Sequence, residues 1–312
     1  MIEVLSVGRL SVDLYANEPG VGFEGQQSFT KSVGGSPTNV AVAAARLGRH
    51  SAIVSKVGGD ALGRYVRNRL AGFGVDTTYL GVEQGAQTPL ALAALDPPET
   101  PQVAFYRSEP TPDTLLEAQD VPAEVISSCA VLWISQGSLA KGSTAETCLE
   151  WMRRRARADY TVLDLDHRPA LWSSQEQATA RAQEAIALAS VVVGNREECE
   201  VAVGTAEPDA AADALLEAGV RLAVVKLGAD GALLATPDER WNIAPIPVQV
   251  ACGLGAGDAF GGALCHGLLS GWEIPAIGRF ANASGALVST RLTCADAMPQ
   301  AGEVSSMLGE TA

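Results

Sequence analysis

No stretch of this 312-residue chain has the GxxxxGK(S/T) form, so a P-loop nucleotide site is excluded on pattern. No serine sits in a GxSxG elbow, which removes the usual α/β esterase nucleophile. Histidine is scarce: His50, His167 and His266 fall in separate elements, too far apart to suggest a metal triad. Six cysteines, Cys129, Cys148, Cys199, Cys252, Cys265 and Cys294, show neither CxxC nor Cys/His spacing, and most have apolar neighbours, so they read as reduced core thiols. Basic residues are few, 22 Lys and Arg against 36 Asp and Glu, and a net charge of -14 argues against a nucleic-acid partner. The densest basic run, Arg153 to Arg157, lies on an amphipathic stretch and reads as a solvated helix face. No apolar run approaches membrane-spanning length, and the chain opens on Ile2-Glu3-Val4-Leu5-Ser6-Val7, a buried strand rather than a basic leader. A cytoplasmic protein with no membrane partner is expected.

What is present is apolar surface, 47% of residues against 19% charged, enough for one large α/β core. Strands are expected at Glu3 to Val7, Ser51 to Ser55, Val131 to Ile134, Thr161 to Leu165, Ser190 to Val193 and Leu222 to Lys226. Helical patterns lie between them near Pro37 to Leu47, Leu62 to Phe73, Thr144 to Ala158, Glu176 to Ala189 and Pro208 to Ala218. This alternation calls for a doubly wound, mostly parallel sheet. A hairpin-like pair, Gly231 to Thr236 and Arg240 to Ile243, precedes two helices rich in Ala and Gly, about Gly257 to Ser270 and Pro275 to Arg291. Two stretches break the alternation, about 11–33 and 87–107, and read as a small β-lid over the carboxyl edge of the sheet, where ligands bind.

Two glycine turns run into helices. In Cys252-Gly253-Leu254-Gly255-Ala256-Gly257-Asp258, the glycines let successive N–H groups face outward at a helix start, an anion site suited to a phosphate that gains charge. Asp258, in the first turn, is placed to take a proton from a substrate hydroxyl, although a simple N-cap role needs the same residue. In Gly34-Gly35-Ser36-Pro37-Thr38-Asn39, the glycines allow close approach of a polyol and Asn39 offers a donor and an acceptor. Asp13 stands where the chain leaves the first strand, a place to accept two sugar hydroxyls. Asn195 and Glu198 form a capping-box pattern after a strand that is also compatible with hydrated Mg2+ near nucleotide phosphates. Lys226, Gly228 and Gly231 end a strand in a turn that can lie along a nucleotide. Asp164-Leu165-Asp166-His167-Arg168-Pro169 carries more charge than a strand end requires, and Arg168 and Tyr106-Arg107 offer cations for a carboxylate or phosphate.

The order of these elements, and above all the pairing of Gly34-Gly35 and Asn39 with Gly255-Ala256-Gly257-Asp258, resembles the ribokinase-like, PfkB carbohydrate kinases over essentially the whole chain. The resemblance implies a ribokinase-like three-layer α/β sandwich, a single kinase domain over 1–312 with a small β-lid, using ATP and Mg2+. It implies that Asp258 is the catalytic base, that Gly255, Ala256 and Gly257 form the anion hole, and that Asn195 and Glu198 serve the phosphate and magnesium end. Lys226, Gly228, Gly231 and residues around Asn282 would then border the nucleotide. Asp13, Gly34, Gly35, Asn39, Tyr106, Arg107 and Arg168 would bind the acceptor, with Arg9 and Lys31 as further cations. The stretches 8–14, 29–37 and 163–169 look most like members that phosphorylate a six-carbon keto-deoxy sugar acid. Neutral-sugar or nucleoside kinases, or a silent sugar sensor on the same fold, are the alternatives. Many members carry Asp-Thr where this chain has Cys252-Gly253, which leaves a monovalent-cation site without that acid. Edge strands of the lid make a homodimer through the lid an expectation.

Overall fold

Runs such as Val131–Ser135 and Val191–Asn195 become strands because they are apolar on both faces, as parallel strands covered by helices must be. The computed structural model describes residues 1–158 and 160–309. In chain order the first half has β1 (Val4–Val7), β2 (Ser11–Ala16), β3 (Phe29–Gly34), α1 (Ser36–Arg46), β4 (Ser51–Gly58), α2 (Ala61–Gly72) and β5 (Leu80–Glu83). It continues with β6 (Leu90–Ala94), β7 (Gln102–Tyr106), α3 (Ala123–Ser128), β8 (Val131–Ser135), α4 (Gly142–Arg155) and β9 (Tyr160–Asp164). The second half has α5 (Gln175–Ile186), β10 (Val191–Asn195), α6 (Arg196–Val203), α7 (Pro208–Glu217), β11 (Leu222–Lys226), β12 (Ala232–Ala235), β13 (Arg240–Ile243), α8 (Ala256–Leu269), α9 (Ile274–Ser289) and α10 (Ala301–Met307).

The main sheet has nine strands in the order β13-β12-β11-β10-β9-β8-β1-β4-β5, parallel from β11 to β5 and antiparallel at β12 and β13. Every central strand expected from the sequence is present. The short β5 and the short helices α3 and α10 were not expected: β5 holds four residues of mixed burial, and the helices span six and seven residues, too few for a clear period. Beside β1 the connections run opposite ways, to β4 on one flank, while β8 lies on the other, so a crevice opens at the carboxyl ends of β1 and β8.

The two stretches outside the alternation form a second sheet, β3-β2-β6-β7. Strand alternation turns Asp13, Tyr15, Ala91, Val103 and Phe105 toward the crevice. The hairpin between β6 and β7 reaches the glycine turn before α8, where Gly253 N donates to Pro98 O at 2.8 Å. A Cβ on Gly253 would stand 2.0 Å from Glu99 O, so only glycine lets the two loops meet.

Helices α1 and α8 cross closely because both present small residues. A Cβ on Gly262 would lie 2.3 Å from the Ala43 Cβ. Asn39 and Ala43 share one face of α1, as Asp258 and Gly262 share one face of α8, so contact at the second pair brings the first pair together.

Candidate active site

Asp258 sits in the first turn of α8, whose N-cap, Gly255, has φ 83°. The helix starts there, so the 255–257 amides lie at its positive end. Asn39 Nδ2 donates to Asp258 Oδ2 at 2.8 Å. Burial first, and next the Asp166 carboxylate, push Asp258 up to about 6, against the hydrogen bonds of Asn39 and Ser36 and the charge of Arg168. A carboxyl so placed is ionised near neutrality yet basic enough to take a hydroxyl proton.

Two cavities meet at this turn. One, beneath the lid, is bordered by Asp13, Gly35, Asn39, Arg168, Gly255 and Asp258, together with Arg9 and Phe105. The other, more apolar, runs between Lys226, Gly228, Gly231, Gly257 and Asn282 and is closed by Ile246 and Phe260. A polar cavity and an apolar cleft joined at an anion hole and a base can hold a hydroxylic acceptor and a nucleotide end to end.

In the acceptor cavity, Asp13 accepts from Ser11 Oγ at 2.6 Å and from Tyr15 OH at 3.1 Å. Burial raises its carboxyl, opposed by those two bonds. Gly34 does not border the cavity; a Cβ there would strike the Asp13 carboxylate at 1.9 Å, so its part is to admit Asp13. Gly35 (φ 97°) does border it, and a Cβ would meet Arg9 O at 2.4 Å. Asn39 is 3% exposed, and its Oδ1 has no hydrogen-bond partner. A buried acceptor atom left open beside a base is suited to a substrate hydroxyl.

The cations divide. Asp166 is buried between Arg9 Nη2 at 2.7 Å and Arg168 Nη2 at 2.8 Å. Burial alone would raise Asp166, but the two guanidinium groups outweigh it and hold the carboxyl below the usual range. Arg107 reaches Asp113 at 2.5 Å and borders an adjoining cavity that shares Arg9 and Phe105 with the acceptor cavity. Tyr106 and Lys31 do not border the acceptor cavity, and Tyr106 instead borders a separate open space with Phe105 and Arg107. The pleat that turns Phe105 inward turns Tyr106 outward, 61% exposed, and Lys31 lies outside over the Tyr65 ring, 3.9 Å from its centroid.

At the nucleotide end, Lys226 Nζ lies 3.6 Å from Asp164 and 3.8 Å from Glu198. Burial would lower the ammonium, but these carboxylates and Asp258 raise it, so it stays charged. A Cβ on Gly257 would come within 3.2 Å of that Nζ, so the cation lies directly under the anion hole. Asn195 and Glu198 complete a capping box, with Glu198 N to Asn195 Oδ1 at 2.8 Å and Asn195 N to Glu198 Oε2 at 2.7 Å. The Asn195 oxygen is therefore engaged by the helix cap. Asn282 Nδ2 donates to Ala244 O at 3.0 Å on the wall of the cleft. Among the described residues, no group of three or more His, Cys, Asp and Glu could hold a metal ion. The buried pair Asp164 and Glu198 fits a hard cation brought in by nucleotide phosphates better than a resident one.

Sequence reasoning missed Ser36, whose Oγ donates to Asp164 Oδ2 at 3.2 Å, and Phe105. The alternation of β7 could have found Phe105; Ser36 carried no signal of its own.

A glycine turn and a buried acid at a sheet crevice, with a polar cavity under the second sheet and an apolar cleft beyond, have the layout a phosphotransferase acting on a sugar hydroxyl requires. The family model described as pfkB family carbohydrate kinase matches residues 1–301. The chain belongs to that family. A 5-dehydro-2-deoxygluconokinase of Geobacillus thermodenitrificans is 31% identical over 316 residues, covering 98% of this chain and 93% of the relative. Among solved structures, a fructokinase of Xylella fastidiosa with bound ATP superposes with TM-score 0.87 at 28% identity, covering 99% of each chain. A fructokinase of Vibrio cholerae with fructose, ADP and calcium gives TM-score 0.87 at 29% identity, again over 99% of each chain. Among the described residues, no helix is long and apolar enough to cross a membrane.

Proposed function

We propose that this kinase transfers the ATP γ-phosphoryl group to a primary hydroxyl of a six-carbon keto-deoxy sugar acid, foremost 5-dehydro-2-deoxy-D-gluconate. The observation that carries the acid is the cationic wall of the acceptor cavity, Arg9 and Arg168 gathered on Asp166, with Arg107 in the adjoining space. A neutral sugar makes little use of three guanidinium groups; a carboxylate accepts two parallel N–H bonds from one. The name carried by the Geobacillus thermodenitrificans relative supports the same substrate.

Asp13 and the open Asn39 Oδ1 orient the acceptor hydroxyls, and Asp258 takes the proton of the attacking one. The 255–257 amides and Lys226 face the charge that gathers on the transferred group. Mg2+ bound with ATP would neutralise phosphate charge, with Glu198 as the nearby protein carboxylate. The lid covers the cavity and keeps water from competing with the acceptor. Pairing of two chains through the lid belongs to this proposal, since Phe29 and Tyr106 stand exposed on it.

The test is ADP release with Mg2+ and ATP against 5-dehydro-2-deoxygluconate, 2-keto-3-deoxygluconate, fructose, ribose and adenosine. Turnover on the first acid well above the rest is expected; turnover on neutral acceptors alone would remove the carboxylate role of the arginines.

A further inference from the structure

Asp113 is a buried acid with no part in the chemistry above. Its side chain is 1% exposed and sits on the turn Pro112–Thr114, which follows the lid. Asp113 Oδ1 accepts from Arg107 Nη2 at 2.5 Å, and Oδ2 accepts from the Leu10 N–H at 3.2 Å. Leu10 is the last residue before β2, where the chain leaves the main sheet for the lid. Arg107 is the first residue after β7, where the chain comes back. One carboxylate thus holds the first departure to the lid and the last return from it.

The backbone around Asp113 is itself fixed to the body of the protein. Thr144 Oγ1, in the first turn of α4, donates to Asp113 O at 2.9 Å and accepts from Leu116 N at 2.8 Å. Lys56 Nζ, on β4, donates to Leu115 O at 2.6 Å. Arg9, next to Leu10, and Phe105, two residues before Arg107, border both the acceptor cavity and the cavity that holds Arg107. Arg9 Nε is buried there with no partner, facing Gly137, whose missing Cβ would lie 2.9 Å away. The space between Arg9 and Arg107 therefore contains an unused donor beside a cation already oriented by Asp113.

We propose that Asp113 is a positioning residue for acceptor binding: anchored to the body, it sets the Arg107 guanidinium and the Leu10 crossing so that an acceptor carboxylate meets Arg107 and Arg9 together. The inference rests on the acid acceptor proposed above. A guanidinium has five N–H donors, so Arg107 gives one nitrogen to Asp113 and keeps others for a ligand. Loss of a hydrogen bond between charged groups corresponds to a change of roughly tenfold or more.

The experiment measures kcat, KM for 5-dehydro-2-deoxygluconate and KM for ATP in the wild type, Asp113→Asn, Arg107→Met and the double variant. Asp113→Asn is expected to raise the acid's KM about tenfold while kcat and the ATP KM stay near wild type. In the Arg107→Met background the same change is expected to have a much smaller effect, what remains coming through the Leu10 crossing. An unchanged acid KM, a parallel loss in kcat and ATP KM, or a full additional effect in the Arg107→Met background would each overturn the proposal and leave Asp113 a packing residue. Should Asp113→Asn fail to fold, Asp113→Glu keeps the charge and shifts it by one methylene. It is expected to raise the acid KM by a smaller factor, and an unchanged value overturns the proposal equally. Failure of the acid reading is a separate result, visible in the wild type alone as turnover confined to neutral acceptors.

Discussion

Asp258 gathers most of its properties from neighbours that lie far away in sequence: Asn39 holds its orientation, and burial with Asp166 lifts it to about 6. On the proposal that Asp258 is the general base, it works ionised, so kcat is expected to fall as pH drops through about 6 and to level off above, which a pH profile at saturating substrates checks. Asp258→Asn should lower turnover roughly 10² to 10⁴-fold while nucleotide binding, read by calorimetry, is nearly kept. Asp166 behaves the other way. Its carboxyl is held below the usual range, so its contribution to stability is complete above that range and disappears only as pH falls through the lowered value. Asp166→Asn leaves Arg9 and Arg168 without their shared counter-charge and should cost about 3 kcal/mol at pH 7, a difference that narrows in strong acid. Denaturant titrations at both pH values test it. The placement of Asp258 was legible in the sequence because a glycine turn and an acid at a helix start are local. Asp113 was not, since nothing local marks an acid that meets Leu10 and Arg107 only after folding.

At the level of helices and strands, the site depends on how closely α1 and α8 approach. Gly262 touches Ala43, and one turn earlier on each helix Asp258 meets Asn39. Gly262→Val should force the helices apart, costing about 1–3 kcal/mol and lowering turnover together with the melting temperature. A melting temperature that drops while turnover holds would separate packing from catalysis. The helical ranges and central strands were readable from apolar period and turn residues. The Ala and Gly content of α8 and α9 was legible, but the close approach of α1 to α8 was not, because period shows which face is apolar and not what it packs against. Tyr106 is the matching failure on a strand: a neighbouring pair, Tyr106-Arg107, looked like one binding unit, and the pleat turned its first residue to the outside.

Across the protein as a unit, the lid distinguishes this site from an open sheet edge. It touches the glycine turn before α8 through Pro98 and Gly253. On the proposal that two chains pair through the lid, sedimentation should show a dimer, and Tyr106→Glu at the exposed end of β7 should shift it toward monomer. A monomeric wild type at micromolar concentration would end that part of the proposal. The α/β alternation, the two glycine turns, the acid at the start of α8 and the lack of a P-loop were all readable along the chain, because each depends on residues adjacent in it. Folding alone made the turns face one another, gathered Arg9 and Arg168 on Asp166, and laid Lys226 beneath Gly257. Those are contacts between residues far apart in the chain, set by strand order and helix packing, about which local pattern is silent.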